Sequence, residues 1–213
     1  MTSLTIARIL TLLLVVIVLM NAKDTYNRRK RWLRIVSGLR FKHFAIALPL
    51  LVAVLLTAGY LKSVSPEWAT HGWMYYVGGT GSFLAGGTFM DTPDDTGLMH
   101  YLLYPFFILM WFTLPLLAEF EERVFRGKAA SWSWPMNIWM TVAFGLVHLT
   151  MGIPLYAGVA LILGGFGFLL VNRHTALRVN QKAGTMESTR VHLAYNTILF
   201  ALLLTALAIR DFA

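Results

Sequence analysis

Residues Phe41–Leu61 read FKHFAIALPLLVAVLLTAGYL, and this stretch decides the fold class. From Phe44 onward it contains no Asp, Glu, Lys, Arg or His. About 20 apolar residues in a helix cross a hydrocarbon core of about 30 Å, because each residue adds about 1.5 Å. In lipid, an open-ended segment can satisfy its backbone groups only by forming a helix. The stretch therefore predicts a transmembrane helix.

Five further stretches are similarly apolar, so the sequence predicts six transmembrane helices. The other five are about Leu4–Met20, Tyr101–Ala118, Met136–Gly152, Leu155–Val171 and Val191–Ile209. Short polar segments, which we call joins, connect these stretches. Together with the lack of an internal repeat, they predict a single transmembrane domain over residues 1–213. The expected fold class is an all-α membrane protein, a bundle of about six transmembrane helices. The first stretch is expected to be retained, because Met20 fits the small-residue pattern of signal-peptide cleavage poorly.

The composition agrees with a membrane protein and excludes a soluble globular enzyme. Of the 213 residues, 57% are hydrophobic and 13% are charged, and the charged share is about half that of a typical soluble domain. The chain has no cysteine, which excludes disulfides, thiolate metal sites and a cysteine nucleophile. The formal net charge is +8. Positive charge beside membrane helices serves orientation, so nucleic acid is not an expected partner.

Fifteen of the 18 Lys and Arg residues fall in three joins that a six-span topology puts on one side of the membrane. The first join is Lys23–Lys42; the other two contribute Arg123, Arg126 and Lys128, and Arg173, Arg178, Lys182 and Arg190. Basic joins face the cytoplasm. Both termini are therefore expected outside the cytoplasm. The small chain and the strong charge bias favour a bacterial cytoplasmic (inner) membrane.

The stretch Trp68–Met90 carries no Lys, Arg, Asp or Glu and contains six glycines. As a seventh span it would move the basic join 173–190 to the outer side, against the charge rule. We therefore expect an extracytoplasmic loop there.

Three groups of polar side chains fall where lipid is expected, and such residues usually mark function. Each group places two side chains four residues apart, on one face of a helix. The pairs are Glu122 with Arg126, Phe144 with His148, and His192 with Asn196. Glu121 points about 100° away from Glu122, which suggests that Arg126 holds one carboxylate and leaves the other free. Taken singly, each group also fits a charged helix end or a polar contact between helices.

Together and in this order, the three motifs resemble those of the CPBP family. This family comprises the CAAX proteases and bacteriocin-processing membrane proteins, also called the ABI family, which are related to the type II CAAX prenyl endopeptidase. The motifs here are Glu-Glu-x-x-x-Arg at Glu121, Glu122 and Arg126, Phe-x-x-x-His at Phe144 and His148, and His-x-x-x-Asn at His192 and Asn196. The resemblance covers a core of about residues 101–209.

The resemblance implies an intramembrane endopeptidase of the glutamate type, acting on a membrane-associated peptide or protein near the cytoplasmic side of the bilayer. On that reading Glu121, helped by His148, activates a water, and His192 and Asn196 donate hydrogen bonds to the oxyanion. Glu122, Arg126 and Phe144 support the site. No cofactor is required.

Other functions remain open from the sequence. Glu121, His148 and His192 also have the composition of a zinc site, so a divalent metal such as zinc is an alternative. A non-catalytic CPBP-fold subunit, assembly factor or immunity protein would act by helix–helix binding in a larger membrane complex. The small-residue stripe Gly158, Gly164, Gly165 and Gly167 motivates this second function. Buried Glu and His could also relay protons in a transporter, although the sequence shows no inverted repeat.

Overall fold

The computed structural model describes residues 16–73 and 98–212, and every regular element in this part of the chain is a helix. The all-α class predicted from the sequence is confirmed. The elements are α1 (16–27), α2 (Arg29–Val36), α3 (Phe41–Val64), α4 (Glu67–Thr70), α5 (Leu98–Arg126), α6 (Trp134–Val147), a 3₁₀ turn (His148–Met151), α7 (Leu155–Arg178) and α8 (Gln181–Phe212).

Among the described helices, α3 and α7 are long and apolar enough to cross a membrane. Only 17% of the apolar window of α3 and 39% of that of α7 are buried inside the chain. Most of this apolar surface is therefore open on the outside of the bundle, as a contact with lipid requires. The predicted spans 101–118 and 191–209 lie within the longer helices α5 and α8.

Two of the sequence predictions fall largely outside the described residues. The first predicted span, Leu4–Met20, is described only from residue 16, and the expected loop Trp68–Met90 only as far as Trp73. Six membrane crossings and the positions of the termini therefore stay predictions.

The predicted fourth span, Met136–Gly152, is not one continuous helix. α6 has 14 residues and ends at Val147, and a 3₁₀ turn follows it. The turn stops at Gly152, whose φ of 82° lies in the left-handed region that glycine adopts readily. A helix of this length covers about 21 Å at 1.5 Å per residue, short of a hydrocarbon core of about 30 Å. His148 consequently lies in the 3₁₀ turn. The sequence had predicted it within a continuous helix, and that prediction is wrong.

α7 lies at the centre of the fold and packs against α3, α6 and α8, while α8 also packs against α5. The approach of α6 to α7 is close because glycines face each other. A Cβ on Gly145 would lie 2.6 Å from the carbonyl oxygen of Gly158, closer than real Cβ contacts. This packing brings the C-terminal ends of α5 and α6 and the first half of α8 together in one buried region.

The three basic joins meet at one end of the bundle. Gln181, the first residue of α8, donates from Nε2 to the carbonyl of Arg126 at 3.0 Å. Its Oε1 accepts from the backbone N–H of Ala130 at 2.9 Å, so the α5–α6 join is fixed to the start of α8. Lys42, at the start of α3, forms an ion pair with Glu187 on α8. The positively charged segments thus share one end, which we call the basic end.

Candidate functional site

Glu122 lies at the centre of the polar site. Its side chain is fully buried, and three donors surround its carboxylate. Arg126 donates from Nη1 to Oε1 at 2.6 Å, one helical turn along α5. Ser188 on α8 donates its hydroxyl to Oε2, and Nδ1 of His192 lies 3.0 Å from Oε1. A buried carboxylate is tolerated only when it is paired and hydrogen-bonded in this way, so Glu122 has little capacity left for chemistry.

Arg126 is buried with Glu122 and is held on three sides. Its Nη2 donates to the carbonyl oxygen of Gly165 on α7 at 3.1 Å. The guanidinium carbon lies 4.4 Å from the ring centroid of Phe144 and 5.5 Å from that of Phe168. Such cation–π contacts are strongest where water is excluded. The aromatic rings and the ion pair together fix the position of Glu122.

His192 connects the two neighbouring glutamates. A carboxylate only accepts hydrogen bonds, so the short contact with Glu122 assigns the proton to Nδ1. The other ring nitrogen, Nε2, faces Oε2 of Glu121 at 3.6 Å, which is longer than a hydrogen bond. The His192 ring stacks on Phe168, with centroids 4.4 Å apart and planes inclined by 20°. The imidazole is therefore held in one orientation with Nε2 aimed at Glu121.

Glu121 differs from Glu122 in its surroundings. Its side chain is 18% exposed. Its Oε2 is nonetheless buried and has no hydrogen-bond partner in the part of the chain that the structure describes. The two carboxylates thus point to different faces of α5, as the helical spacing predicts. Arg126 forms its ion pair with Glu122 and leaves Glu121 free of it.

Phe144 links His148 to this group. Its ring meets the His192 ring edge-on at 5.6 Å and the His148 ring edge-on at 4.9 Å. His148 Nδ1 lies 2.7 Å from the carbonyl oxygen of Phe144, which only accepts, so Nδ1 is the donor; in the neutral ring Nε2 is then an acceptor. Both imidazoles therefore pack against one phenyl ring, and His148 stays partly exposed in the turn after α6.

Asn196 is the member of the predicted set that the structure joins least to the others. It lies one helical turn beyond His192 on α8 and is partly exposed. Its side chain makes no hydrogen bond within residues 16–73 and 98–212. The structure thus brings Glu121, Glu122, Arg126, Phe144 and His192 into one group, attaches His148 through Phe144, and leaves Asn196 at the edge.

Two buried side chains of the site were not predicted. Ser188 bonds both Glu122 and the carbonyl of Phe168, the latter at 3.0 Å. Phe168 on α7 provides the ring that stacks on His192. One signal could have identified Ser188, because Ser188, His192 and Asn196 recur every four residues and so share one helix face. Phe168 has no such signal in an apolar helix.

The described residues contain no three His, Asp or Glu side chains arranged to hold a metal ion. Glu121, His148 and His192, the alternative zinc ligands, are therefore not grouped in this way.

A second polar contact fixes α2 over α5. Arg31 donates from Nε and Nη2 to the two carboxylate oxygens of Glu119. Glu119 is buried and precedes Glu122 by three residues on α5. This bidentate hydrogen bond raises the pKa of Arg31 above its ordinary value. Trp32 donates from Nε1 to the carbonyl of Phe112 at 2.8 Å. The short helix α2 is thereby held against α5 on the site's own end of the bundle.

Comparison with protein families, with curated proteins and with solved structures gives no match for this chain. The likeness to the CPBP family therefore depends on the motif residues alone.

Proposed function

We propose that the chain is an intramembrane endopeptidase of the glutamate type, similar to the CPBP proteins, in which Glu121 is the general base. The observation that carries the proposal is the contrast between the two adjacent glutamates. Glu122 is saturated by Arg126, Ser188 and His192. Glu121 keeps a buried carboxylate oxygen without a hydrogen-bond partner in the described chain, 3.6 Å from an imidazole nitrogen.

The facing atoms suit the activation of water. In the tautomer that Glu122 imposes, Nε2 of neutral His192 carries a lone pair, and Glu121 Oε2 is also an acceptor. Two acceptors at 3.6 Å repel unless a donor with two hydrogens, such as water, lies beside them and bonds to both. The neutral His148 ring also keeps an acceptor at Nε2, because its Nδ1 donates to the Phe144 carbonyl, and we assign it a helper role on the other side of the Phe144 ring. A water polarised by these groups would be a competent nucleophile.

The reaction can be written with the protons balanced. Glu121 takes a proton from water while the oxygen attacks the peptide carbonyl carbon, giving a tetrahedral oxyanion and a protonated Glu121. The C–N bond then breaks, and the proton on Glu121 passes to the leaving amine. The base returns to its starting charge, and the products are a carboxylic acid and an amine, which exchange a proton to become a carboxylate and an ammonium group.

His192 and Asn196 would stabilise the oxyanion. The proton that Glu121 takes from water can pass to Nε2 of His192, 3.6 Å away, and return before the C–N bond breaks. While it is on His192, Nε2 is a donor to the oxyanion, and the Glu122 carboxylate, 3.0 Å from Nδ1, balances the positive charge. The Asn196 amide has no hydrogen bond within the described chain and is available as a second donor. A preorganised donor of this kind contributes about 3–4 kcal/mol in other hydrolases.

The membrane placement of the site belongs to the same proposal. We place the basic end toward the cytoplasm of a bacterial inner membrane, in a bundle of about six spans, because positively charged joins stay on that side. The glutamates lie close to this end, where water and a membrane-associated peptide can reach them. The two apolar helices α3 and α7 support insertion.

The test uses the purified chain in liposomes with internally quenched peptides, each carrying an acyl anchor at one end. Glu121→Gln keeps the shape and removes the base, so cleavage should fall by at least about a hundredfold. Glu67→Gln is the matched control, since it makes the same change at an exposed carboxylate on α4, and it should cleave at the normal rate. Equal cleavage by the two variants would overturn the assignment of Glu121.

The non-catalytic alternative gains little from the glycine stripe that motivated it. A Cβ on Gly165 would meet Phe144 at 2.8 Å, one on Gly158 would meet Leu149 at 2.6 Å, and one on Gly167 would meet Leu50 at 2.6 Å. These glycines therefore pack within the chain. Full rescue of a deletion phenotype by Glu121→Gln would nevertheless favour a partner role over catalysis.

A further inference from the structure

A cleft of about 660 Å³ lies at the basic end, between α3, α7 and the start of α8, away from the glutamate site. One part of its lining is apolar and includes Ile46 and Leu170, which are 42% and 46% exposed. The other part is basic and includes Lys42, His174 and Arg178. The cleft is therefore amphipathic, with charge on one side and hydrocarbon on the other.

The positive charge of the cleft is neutralised only in part from within. Glu187 is the acidic residue of its lining, and three cationic or titratable groups already share it. Lys42 forms an ion pair with it, His43 Nε2 lies 3.3 Å from Oε1, and Arg190 Nη1 lies 3.7 Å from Oε2. His174 and Arg178, by contrast, have no ion pair or side-chain hydrogen bond in the described chain.

The position of the basic groups matches a membrane surface. The cleft is bordered by α3 and α7, the two described helices that are long and apolar enough to cross a membrane. Arg178 ends α7 and His174 lies one turn before it, so both face the level at which lipid headgroups begin. Ile46 and Leu170 lie further along these helices, where acyl chains would be.

We propose that this cleft binds the phosphate-bearing headgroup of an anionic glycerophospholipid. The phosphate would lie between Arg178, His174 and Lys42, and the first carbons of an acyl chain would cover Ile46 and Leu170. Basic pockets between membrane helices on the cytoplasmic side suit this class of ligand. The cleft volume also falls within the range of small-molecule sites. The inference depends on the membrane placement proposed above and not on peptidase activity.

The experiment measures lipid retention by the full chain in detergent micelles, using native mass spectrometry with phosphatidylglycerol, phosphatidylcholine or inorganic phosphate at equal concentrations. The wild type should retain phosphatidylglycerol in preference to the other two. The double variant His174→Gln/Arg178→Gln should lower this retention by at least about fivefold, since the Arg178 cation near a headgroup contributes about fivefold by itself. The matched control Lys30→Gln/Arg34→Gln removes two exposed cations with the same spacing on α2, and its retention should stay within about twofold of wild type.

The proposal is overturned by equal retention of the two lipids, by unchanged retention in the His174/Arg178 variant, or by an equal loss in the α2 control. Binding of inorganic phosphate as tight as that of phosphatidylglycerol would assign the cleft to a free anion and remove the lipid. Insertion is measured separately, by recovery of the chain with neutral liposomes after a carbonate wash. A failure of membrane placement is thereby distinguished from a failure of the headgroup site.

Discussion

His192 Nδ1 lies 3.0 Å from Glu122 Oε1, so a buried carboxylate on α5 orients the imidazole of α8. The same carboxylate oxygen accepts from Arg126 at 2.6 Å. One side chain therefore satisfies a buried cation and selects the tautomer of the neighbouring histidine. Glu122 is consequently a positioning residue. Its substitution should first lower the free energy of unfolding, and it should affect the reaction only through the orientation of His192.

Glu122→Gln is expected to destabilise the chain strongly. The change leaves the Arg126 guanidinium buried without its counter-charge, which costs about 3–5 kcal/mol when one partner of a buried pair is removed. Glu121→Gln is the control one residue away, and it should change the free energy of unfolding by less than about 1 kcal/mol because it breaks no hydrogen bond within the described chain. Chemical denaturation in detergent micelles measures both. Similar losses for the two variants would contradict the unequal roles assigned to the two carboxylates.

Ser188→Ala should destabilise the chain by about 1–3 kcal/mol, because it leaves a buried carboxylate oxygen without its hydroxyl donor. The control Ser63→Ala removes a hydroxyl that donates to the carbonyl of Tyr60 at 2.8 Å on an exposed turn of α3, and its effect should stay within about 0.5 kcal/mol. The measurement is again the free energy of unfolding. A Ser188 variant as stable as the Ser63 variant would show that the hydroxyl of Ser188 is dispensable.

Gly165→Ala tests the packing around Arg126. An added Cβ would lie 2.8 Å from Phe144 Cδ1 and 3.2 Å from Arg126 Nη2, so we expect a loss of about 1–3 kcal/mol from overpacking. Gly59→Ala on α3 is the matched control, because nothing lies within 4 Å of its added Cβ. There the smaller entropy loss of alanine in a helix should stabilise the chain by about 0.5–1 kcal/mol. We expect the melting temperature to fall in Gly165→Ala and to rise in Gly59→Ala. An unchanged melting temperature in Gly165→Ala would contradict the tight contact.

Local periodicity accounts for the parts of the site that could be predicted. Glu122 and Arg126 fall on one helix face because they are four residues apart, and the structure pairs them at 2.6 Å. Glu121, one residue earlier, points elsewhere for the same geometric reason. The apolar stretches likewise predicted the helices α3 and α7 by composition alone.

Contacts between distant helices could not be predicted in this way. Ser188 and Glu122 meet because α8 packs against α5, and Phe168 reaches His192 because α7 packs against α8. The early end of α6 was also hidden, since residues 136–152 contain no Asp, Glu, Lys or Arg, while the left-handed φ of Gly152 closes the turn. Sequence periodicity reports the face of one helix and carries no information on which neighbour covers it.

The ion cluster at Glu187 predicts a pH dependence of stability. Burial alone would raise the pKa of Glu187, but the hydrogen bond from Lys42 and the neighbouring His43 outweigh it and hold this pKa below its ordinary value. A depressed carboxyl pKa in the folded chain adds stability above the ordinary pKa of about 4.3, and this contribution is lost as the pH falls through the lower folded value. We therefore expect Glu187→Gln to flatten the loss of stability between about pH 5 and pH 3, as followed by thermal unfolding. Glu67→Gln, which removes an exposed carboxylate, should keep the acid-side loss of the wild type. Curves of the same steepness for wild type and Glu187→Gln would show that the cluster does not couple to folding.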